Sequence, residues 1–329
     1  MKKTYKEINN FPHGIMFHNF HDNKKYKKGD GSLSKKDLTK IIRFIGRKNI
    51  LDANDFLNNY KNNTLKNDNV CFTFDDGSKS QADIALPILK KFNIKAFFFI
   101  YSKSLEKKKV LSIETLKYFR INYFKNINSF YDNFFSLCKK DTFKKLKRKK
   151  LKQKQIKNKY PFYSDLDIKF RVIRDNILNE KQYIDIMKKM IRDKKLNLKK
   201  LSRNIFFNKG DLIKLSSEGH VIGLHSHSHP LDISKKSYKK QYEEYFKNKK
   251  ILKKILNKQK NPLINTMSYP MGLYNKNSFK ALNLLNINYG FISSTLKREK
   301  NKLTSKHNNL TIPREDCSNI IKKINEIQI

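Results

Sequence analysis

Two acids stand side by side at Asp75-Asp76, and three histidines fall within five residues at His225, His227 and His229. Each group ends an apolar run, Val70-Cys71-Phe72-Thr73-Phe74 before the acids and His220-Val221-Ile222-Gly223-Leu224 before the histidines. A carboxylate and neutral imidazoles are the oxygen and nitrogen donors that zinc-like ions take. His225 and His229 are four apart, so one helical curl of the segment brings them together. The spacing of His227 turns it away. Neighbouring side chains diverge at a turn, so one acid can ligate while the other stays free as a base. Each group also has a plainer reading. Asp-Gly is a common turn dipeptide, and a His-rich loop can be solvated surface. A third group, Ser268-Tyr269-Pro270-Met271-Gly272, is a Pro-Gly turn after another apolar run, and it offers backbone N–H groups and an aromatic wall.

These groups need elements to hold them. In parallel α/β folds, sites gather at the C-terminal ends of strands. Strands are expected at 14–17, 70–74, 96–100, 220–224, 265–269, 289–293 and 310–312. The run Ala96-Phe97-Phe98-Phe99-Ile100 has the continuous apolarity of a strand covered on both faces. Between them lie helices. Ser34 caps one, with Leu38, Ile41, Ile42 and Ile45 on a single face. Asn54 caps a second. Ala82, Ala85, Leu86 and Leu89 share a face of a third, and a long polar helix covers 238–258. Over 103–206 the alternation stops, and helical spacings such as Phe130, Phe134 and Leu137 take over in a Lys-rich stretch. The chain therefore reads as 10–102, a helical insertion at 103–206, and a resumed α/β part at 207–329.

The 329 residues, 38% of them hydrophobic, can bury a large core. Cys71, Cys138 and Cys317 are odd in number and form no C-x-x-C pair, which argues against a disulfide framework. No apolar run approaches the roughly 20 residues that span a bilayer, and no apolar region follows the basic start. A cytoplasmic location is the expectation. The formal charge of +44 draws anionic partners in general, with transient membrane-surface contact among them. However, Lys, Asn, Ile, Phe and Tyr are enriched together, as A/T-rich codons would produce. Lys far outnumbers Arg, and no nucleic-acid module is recognisable, so no specific nucleic acid is expected.

Thr73-Phe74-Asp75-Asp76-Gly77 and His225-Ser226-His227-Ser228-His229-Pro230 resemble, in this order and on these elements, the first two motifs of the polysaccharide deacetylase family. The catalytic unit of that family is the NodB homology domain. Ser268 to Gly272 is similar to a variant of its third motif, and Leu310 to Arg314 sits where the family has its closing strand. The resemblance covers about 10–102 and 207–316. It implies a NodB-type α/β fold, a distorted or partial (β/α) barrel of parallel strands, here with a helical insertion. It implies a divalent metal, Zn2+ first with Co2+, Ni2+ or Mn2+ as alternatives, on Asp76, His225 and His229. Asp75 would be the base for a metal-bound water attacking an acetamide. Tyr269, Pro270, Met271 and Gly272 would meet the substrate, with a backbone N–H near Met271 as oxyanion donor.

Two departures stand out. Ser268 occupies the place of the family's base-holding Arg, and Arg314 is the residue that would reach in from another strand. No Leu-x-His motif supplies the general acid, which leaves His18, His21 or His307, with His18 assigned. The expected substrate is an N-acetylated amino-sugar glycan or a phosphate-linked precursor of one. The alternatives are hydrolysis of a small cyclic amide or ureide, or a catalytically impaired basic binding protein.

Overall fold

The computed structural model describes residues 5, 11–29, 31–106, 112–159, 163–197, 201, 205–257, 263–293 and 309–327. The chain forms two compact units, Met1–Lys108 with Asn204–Ile329, and Lys109–Arg203.

The first unit begins with strand β1 (His13–Phe17), helices α1 (Lys35–Ile45) and α2 (Ala53–Lys61), and strand β2 (Val70–Asp75). Helix α1 follows from its sequence. The Ser34 hydroxyl and the Asp37 side chain form a reciprocal capping box, and Leu38, Ile41, Ile42 and Ile45 are buried along one face. Helix α2 starts two residues earlier than expected, with Asp52 rather than Asn54 at its N-cap. Asp52 Oδ1 accepts from the Lys95 N–H (2.9 Å) instead of from its own helix. A wide turn, Gln81–Ala85, leads into α3 (Leu86–Lys91), and β3 (Phe97–Ile100) follows. Pro87 has no N–H to give the preceding turn, so one ordinary helical bond is missing there.

The second unit is helical: α4 (Ile113–Asn122), α5 (Ile127–Ser136), α6 (Lys140–Lys147), α7 (Lys150–Lys159), α8 (Asp165–Val172) and α9 (Glu180–Asp193). It has its own aromatic core, built on Phe119, Phe130, Phe134, Phe170 and Tyr183. The buried Asp167 is satisfied by the Tyr131 hydroxyl (2.8 Å) and faces Arg171 (3.2 Å).

The first unit then resumes with α10 (Lys209–Ser217), β4 (Val221–Leu224), α11 (Tyr238–Leu256), β5 (Thr266–Ser268), α12 (Lys276–Leu284), β6 (Tyr289–Phe291), β7 (Arg314–Asp316) and α13 (Cys317–Ile327). The last strand was expected at 310–312, but it lies at Arg314–Asp316. Pro313 cannot donate to a ladder, so Ile312 makes only a single parallel bridge, to Phe291. Helix α13 lies beyond the last element expected from the sequence. It buries Cys317, Ile320 and Ile324 and packs on α1.

The strands form one parallel sheet in the order β6-β5-β4-β3-β2-β1-β7. The Phe291–Ile312 bridge returns the chain beside β6 just before β7 joins β1, so the sheet is a nearly closed barrel ringed by helices. Among the described residues, no helix is long and apolar enough to cross a membrane.

Strand alternation decides what faces the inside of the barrel. Ile15, Phe17, Phe72, Phe74, Phe98, Ile100 and Met267 join the core that includes the α1 face. The opposite set, Cys71, Phe97, Phe99 and Phe291, forms a second cluster. Fully burying one such Phe stabilises by about 1.5–3 kcal/mol, so a slip of one residue is prohibitive. Counting on from Cys71 by twos puts Thr73 and then Asp75 on that second face. Asp75 is thus delivered to the end of the barrel by the same packing that holds the strand.

His220 supplies a stability prediction. Its Nδ1 accepts from the Ala96 N–H (3.0 Å), and burial, then Lys95, push its pKa down to about 4 from 6.5. The unfolded chain therefore binds the extra proton first. The neutral ring's contribution is complete above about pH 6.5 and is lost as pH falls through about 4, up to roughly 3 kcal/mol. His220→Gln, which keeps an acceptor for Ala96, should flatten that acid limb in urea unfolding at pH 7 and pH 4.5. Parallel losses in the two proteins would show that His220 is not responsible.

Candidate metal centre and active site

Strand β2 ends in a sharp turn because Asp76 (φ 73°) and Gly77 (φ 67°) both adopt left-handed backbone. A Cβ on Gly77 would lie 2.9 Å from Ile100 Cδ1, so that position also lacks room for a side chain. The turn separates the two acids as the sequence suggested. Asp75 stays on the inner face of the strand and Asp76 swings to the β4 side.

His225 follows β4 directly. Its Nδ1 lies 2.8 Å from the Ser268 carbonyl oxygen. A carbonyl only accepts, so the ring proton must sit on Nδ1, which leaves Nε2 bare in the neutral imidazole. That Nε2 is 3.3 Å from Asp76 Oδ1, and His229 Nε2 is 3.4 Å from the same oxygen. The approach does not use a helical curl. Left-handed residues at Ser226 (φ 61°) and His229 (φ 52°) fold the segment back instead. His227 turns away, with Nδ1 2.9 Å from Ser102 Oγ.

One oxygen and two nitrogens thus offer donor atoms all within 4.8 Å of one another, on three buried residues. With the Ser268 carbonyl fixing the tautomer, Asp76 Oδ1 is a buried oxygen with no hydrogen-bond donor among the described residues. Burial opposes charge on Asp76, yet His225 and His229 outweigh it and hold the carboxyl well below its ordinary value. Burial likewise opposes charge on His225, yet Asp75 and then Asp76 hold its pKa up. A second proton on His225 is what would balance Asp76 when no cation does. The donor set and this demand for positive charge both fit a divalent ion of the zinc type.

Asp75 is 2% exposed and tightly held. Arg314 Nη1 donates to its Oδ1 (2.8 Å) and Nη2 to its Oδ2 (2.9 Å), a bidentate fork. Ser268 Oγ donates to Oδ2 (3.0 Å) and accepts from Arg314 Nη2 (2.8 Å). Arg314 also donates to Thr73 Oγ1 and to the Ile292 carbonyl. Burial works against the Asp75 charge, but Arg314, then His225, prevail and hold its pKa below the ordinary value. The guanidinium therefore comes from β7, and Ser268 in β5 links it to the carboxylate. Gly14 makes this possible, since a Cβ there would lie 3.0 Å from Arg314 Cγ.

His18 Nε2 lies 3.9 Å from Asp75 Oδ2 on a ring that is 36% exposed. His21 is buried, its Nδ1 paired with Ser32 Oγ (2.9 Å), and burial lowers its pKa. His307 lies outside the described residues. Gln81 was not singled out from sequence. It is fully buried, and its Nε2 donates to the carbonyls of His18 (2.7 Å) and Asp75 (2.6 Å). A lone Gln in a helix-like run carries no local signal of such a brace.

The Tyr269–Gly272 rim needs one correction. Tyr269 is not an exposed aromatic wall: it is 1% exposed, packs on Tyr274 and gives its hydroxyl to the Leu310 carbonyl. Pro270 and Gly272 are buried as well. Met271 is the exposed member, 47% accessible, on left-handed backbone (φ 56°).

Residues 62–148 and 182–290 match the family model described as polysaccharide deacetylase. The chain belongs to the polysaccharide deacetylase family. The matched stretches enter 103–206 from both ends, a zone that the motif resemblance left out. They contain Asp75, Asp76, His225 and His229 but neither His18 nor Arg314. No curated protein matches this deacetylase-family chain. Among solved structures, it resembles the Streptococcus pyogenes deacetylase PplD in complex with acetate. The identity there is 14%, the coverage 95% of this chain and 97% of the other, and the TM-score 0.54. It also resembles a de-N-acetylase from Aggregatibacter actinomycetemcomitans, at 13% identity, 96% and 99% coverage, and a TM-score of 0.55. A polysaccharide deacetylase from Bacillus cereus gives 10% identity, 96% and 69% coverage, and a TM-score of 0.53. At these identities the likeness speaks for the fold.

Proposed function

We propose that the chain hydrolyses N-acetyl groups on an amino-sugar-containing glycan or glycan precursor. The observation that carries this is the convergence of Asp76 Oδ1 with the Nε2 atoms of His225 and His229, beside the buried, arginine-locked Asp75. The names of the structural neighbours, a deacetylase with acetate and a de-N-acetylase, point to the same bond.

Asp76, His225 and His229 would hold the divalent ion, Zn2+ first, with Co2+, Ni2+ or Mn2+ as alternatives. Such an ion supplies positive charge that acidifies water and polarises a carbonyl. Asp75 takes the proton from the attacking water. Arg314 and Ser268 keep that carboxylate charged and aimed, so both act as positioning residues. A backbone N–H at Met271 is assigned to the acetyl oxygen as charge builds on it. His18 is assigned to hand a proton to the departing amine nitrogen, being partly exposed next to Asp75. The water oxygen bonds to the acetyl carbon, the C–N bond breaks, and the products are acetate and a free amine. The charge of +44 would favour a substrate that carries phosphate.

Acetate release from N-acetylglucosamine oligomers tests this reading. It should fall to background after chelation and return with Zn2+ or Co2+. Release that ignores the chelator would reject the metal assignment. Turnover of cyclic amides or ureides without any acetate from the oligomers would reject the bond.

A further inference from the structure

The segment between β4 and α11 carries two of the three donors, yet its backbone at 225–230 belongs to no helix or strand. Two of its residues, Ser226 and His229, adopt left-handed backbone without being glycine. Such conformations persist where the surroundings over-determine them.

Those surroundings are one face of α11. Asn248 is fully buried. Its Oδ1 accepts from the His225 N–H (2.9 Å), and its Nδ2 donates to the Ile100 carbonyl at the end of β3 (3.0 Å). One turn earlier, Glu244 Oε2 accepts from the N–H groups of His227 (3.0 Å) and Ser228 (2.8 Å). Its Oε1 accepts from Ser228 Oγ (2.6 Å). Residues 244 and 248 are four apart and so share a face. The helix also buries Tyr245, Leu252 and Leu256, and Gln241, whose amide bonds to the Lys236 carbonyl and to Ser278. A barrel helix needs only apolar contacts there, and a buried amide is costly unless its bonds are made. The amide bonds of Asn248 go outside its own helix, to the His225 backbone and to β3.

We propose that Glu244 and Asn248 are positioning residues for the metal centre. They fix the backbone of 225–229 so that the two imidazoles converge on Asp76. The proposal rests on reading Asp76, His225 and His229 as the metal donors. Asn248 sets where His225 leaves β4, in register with the end of β3. Glu244 gathers the 227 and 228 amides and so holds the fold-back between the two left-handed residues. The property that matters in Glu244 is its acceptor geometry. Gln keeps one oxygen for the two N–H groups, and the Ser228 hydroxyl can rotate to accept from the amide.

The test titrates the metal-free, full-length chain with Co2+ alone. Affinity and the visible absorption band are followed for wild type, Asp76→Ala, Glu244→Ala, Glu244→Gln and Asn248→Ser, with circular dichroism to confirm folding. Glu244→Ala and Asn248→Ser should bind Co2+ about 10–100-fold more weakly, with an altered band. Glu244→Gln should stay within a few-fold of wild type. Wild-type affinity and band in Glu244→Ala and Asn248→Ser, alongside loss in Asp76→Ala, would overturn the proposal and leave the metal centre standing. A loss in Glu244→Gln as large as in Glu244→Ala would also overturn it, because charge rather than geometry would then be at work. Equal binding by wild type and Asp76→Ala would instead sink the metal reading itself. If Glu244→Ala does not fold, Asn248→Ser and Glu244→Gln decide on the same criteria.

Discussion

His225→Ala should lower acetate release by about a thousandfold or more while leaving the protein folded. An ion of this kind supplies several kcal/mol of stabilisation to developing charge, and each 1.36 kcal/mol is tenfold in rate. Removing the ring takes away one of three donors and, with it, the tie from Nδ1 to the Ser268 carbonyl. Stability should move less than activity. Burial opposes charge on this imidazole while Asp75 and Asp76 hold its pKa up, so its loss also removes a group that burial disfavours when charged. Adding imidazole to the variant should restore part of the metal binding. Acetate release within tenfold of wild type would rule out a role for His225 at the centre.

Arg314→Met should damage both stability and activity. The guanidinium is 1% exposed and its fork is the main partner of a carboxylate buried to the same degree. Removing one member of such a pair leaves an uncompensated buried charge, at a cost of about 3–5 kcal/mol. Loss of a positioned base adds about 10²–10⁴-fold in rate. The pH dependence separates this pair from an ordinary structural one. In the metal-free wild type, the Asp75 carboxyl lies below its ordinary value, so the stability it supplies is lost as pH falls through that depressed value. In the variant, burial is opposed mainly by His225, and the carboxyl moves up. The loss of stability on the acid side should therefore shrink or reverse relative to wild type. Arg314→Lys keeps the charge without the fork and should fall between the two. A variant that melts like wild type across pH 5 to 8 would remove Arg314 from the account.

Much of this architecture is legible in the residues. The helix cap at Ser34, the Phe97–Ile100 strand and the order of the acid and histidine clusters all follow from local chemistry. What the sequence concealed was non-local or set by backbone conformation. Arg314, singled out as the residue that would reach in from another strand, lies 239 positions from Asp75 along the chain, so local spacing gave no sign of the bidentate fork that barrel closure makes. The Pro313 break moved the closing strand past the apolar run Leu310-Thr311-Ile312 to the polar Arg314–Asp316. Polar residues there read as loop until the fork to Asp75 is seen. Tyr269 looked like an exposed wall because its neighbours are turn formers, yet its ring is absorbed between Tyr274 and Phe279. The fold-back at 225–229 uses left-handed Ser226 and His229, a conformation that neither residue type signals.

X-ray absorption of the zinc-loaded protein tests the central claim most directly. The account predicts two imidazole nitrogens at about 2.0–2.1 Å, with oxygen filling the remaining positions near 2.0–2.2 Å. His229→Ala should halve the imidazole signal. A sulfur scatterer at about 2.3 Å, or an all-oxygen shell without imidazole, would contradict it.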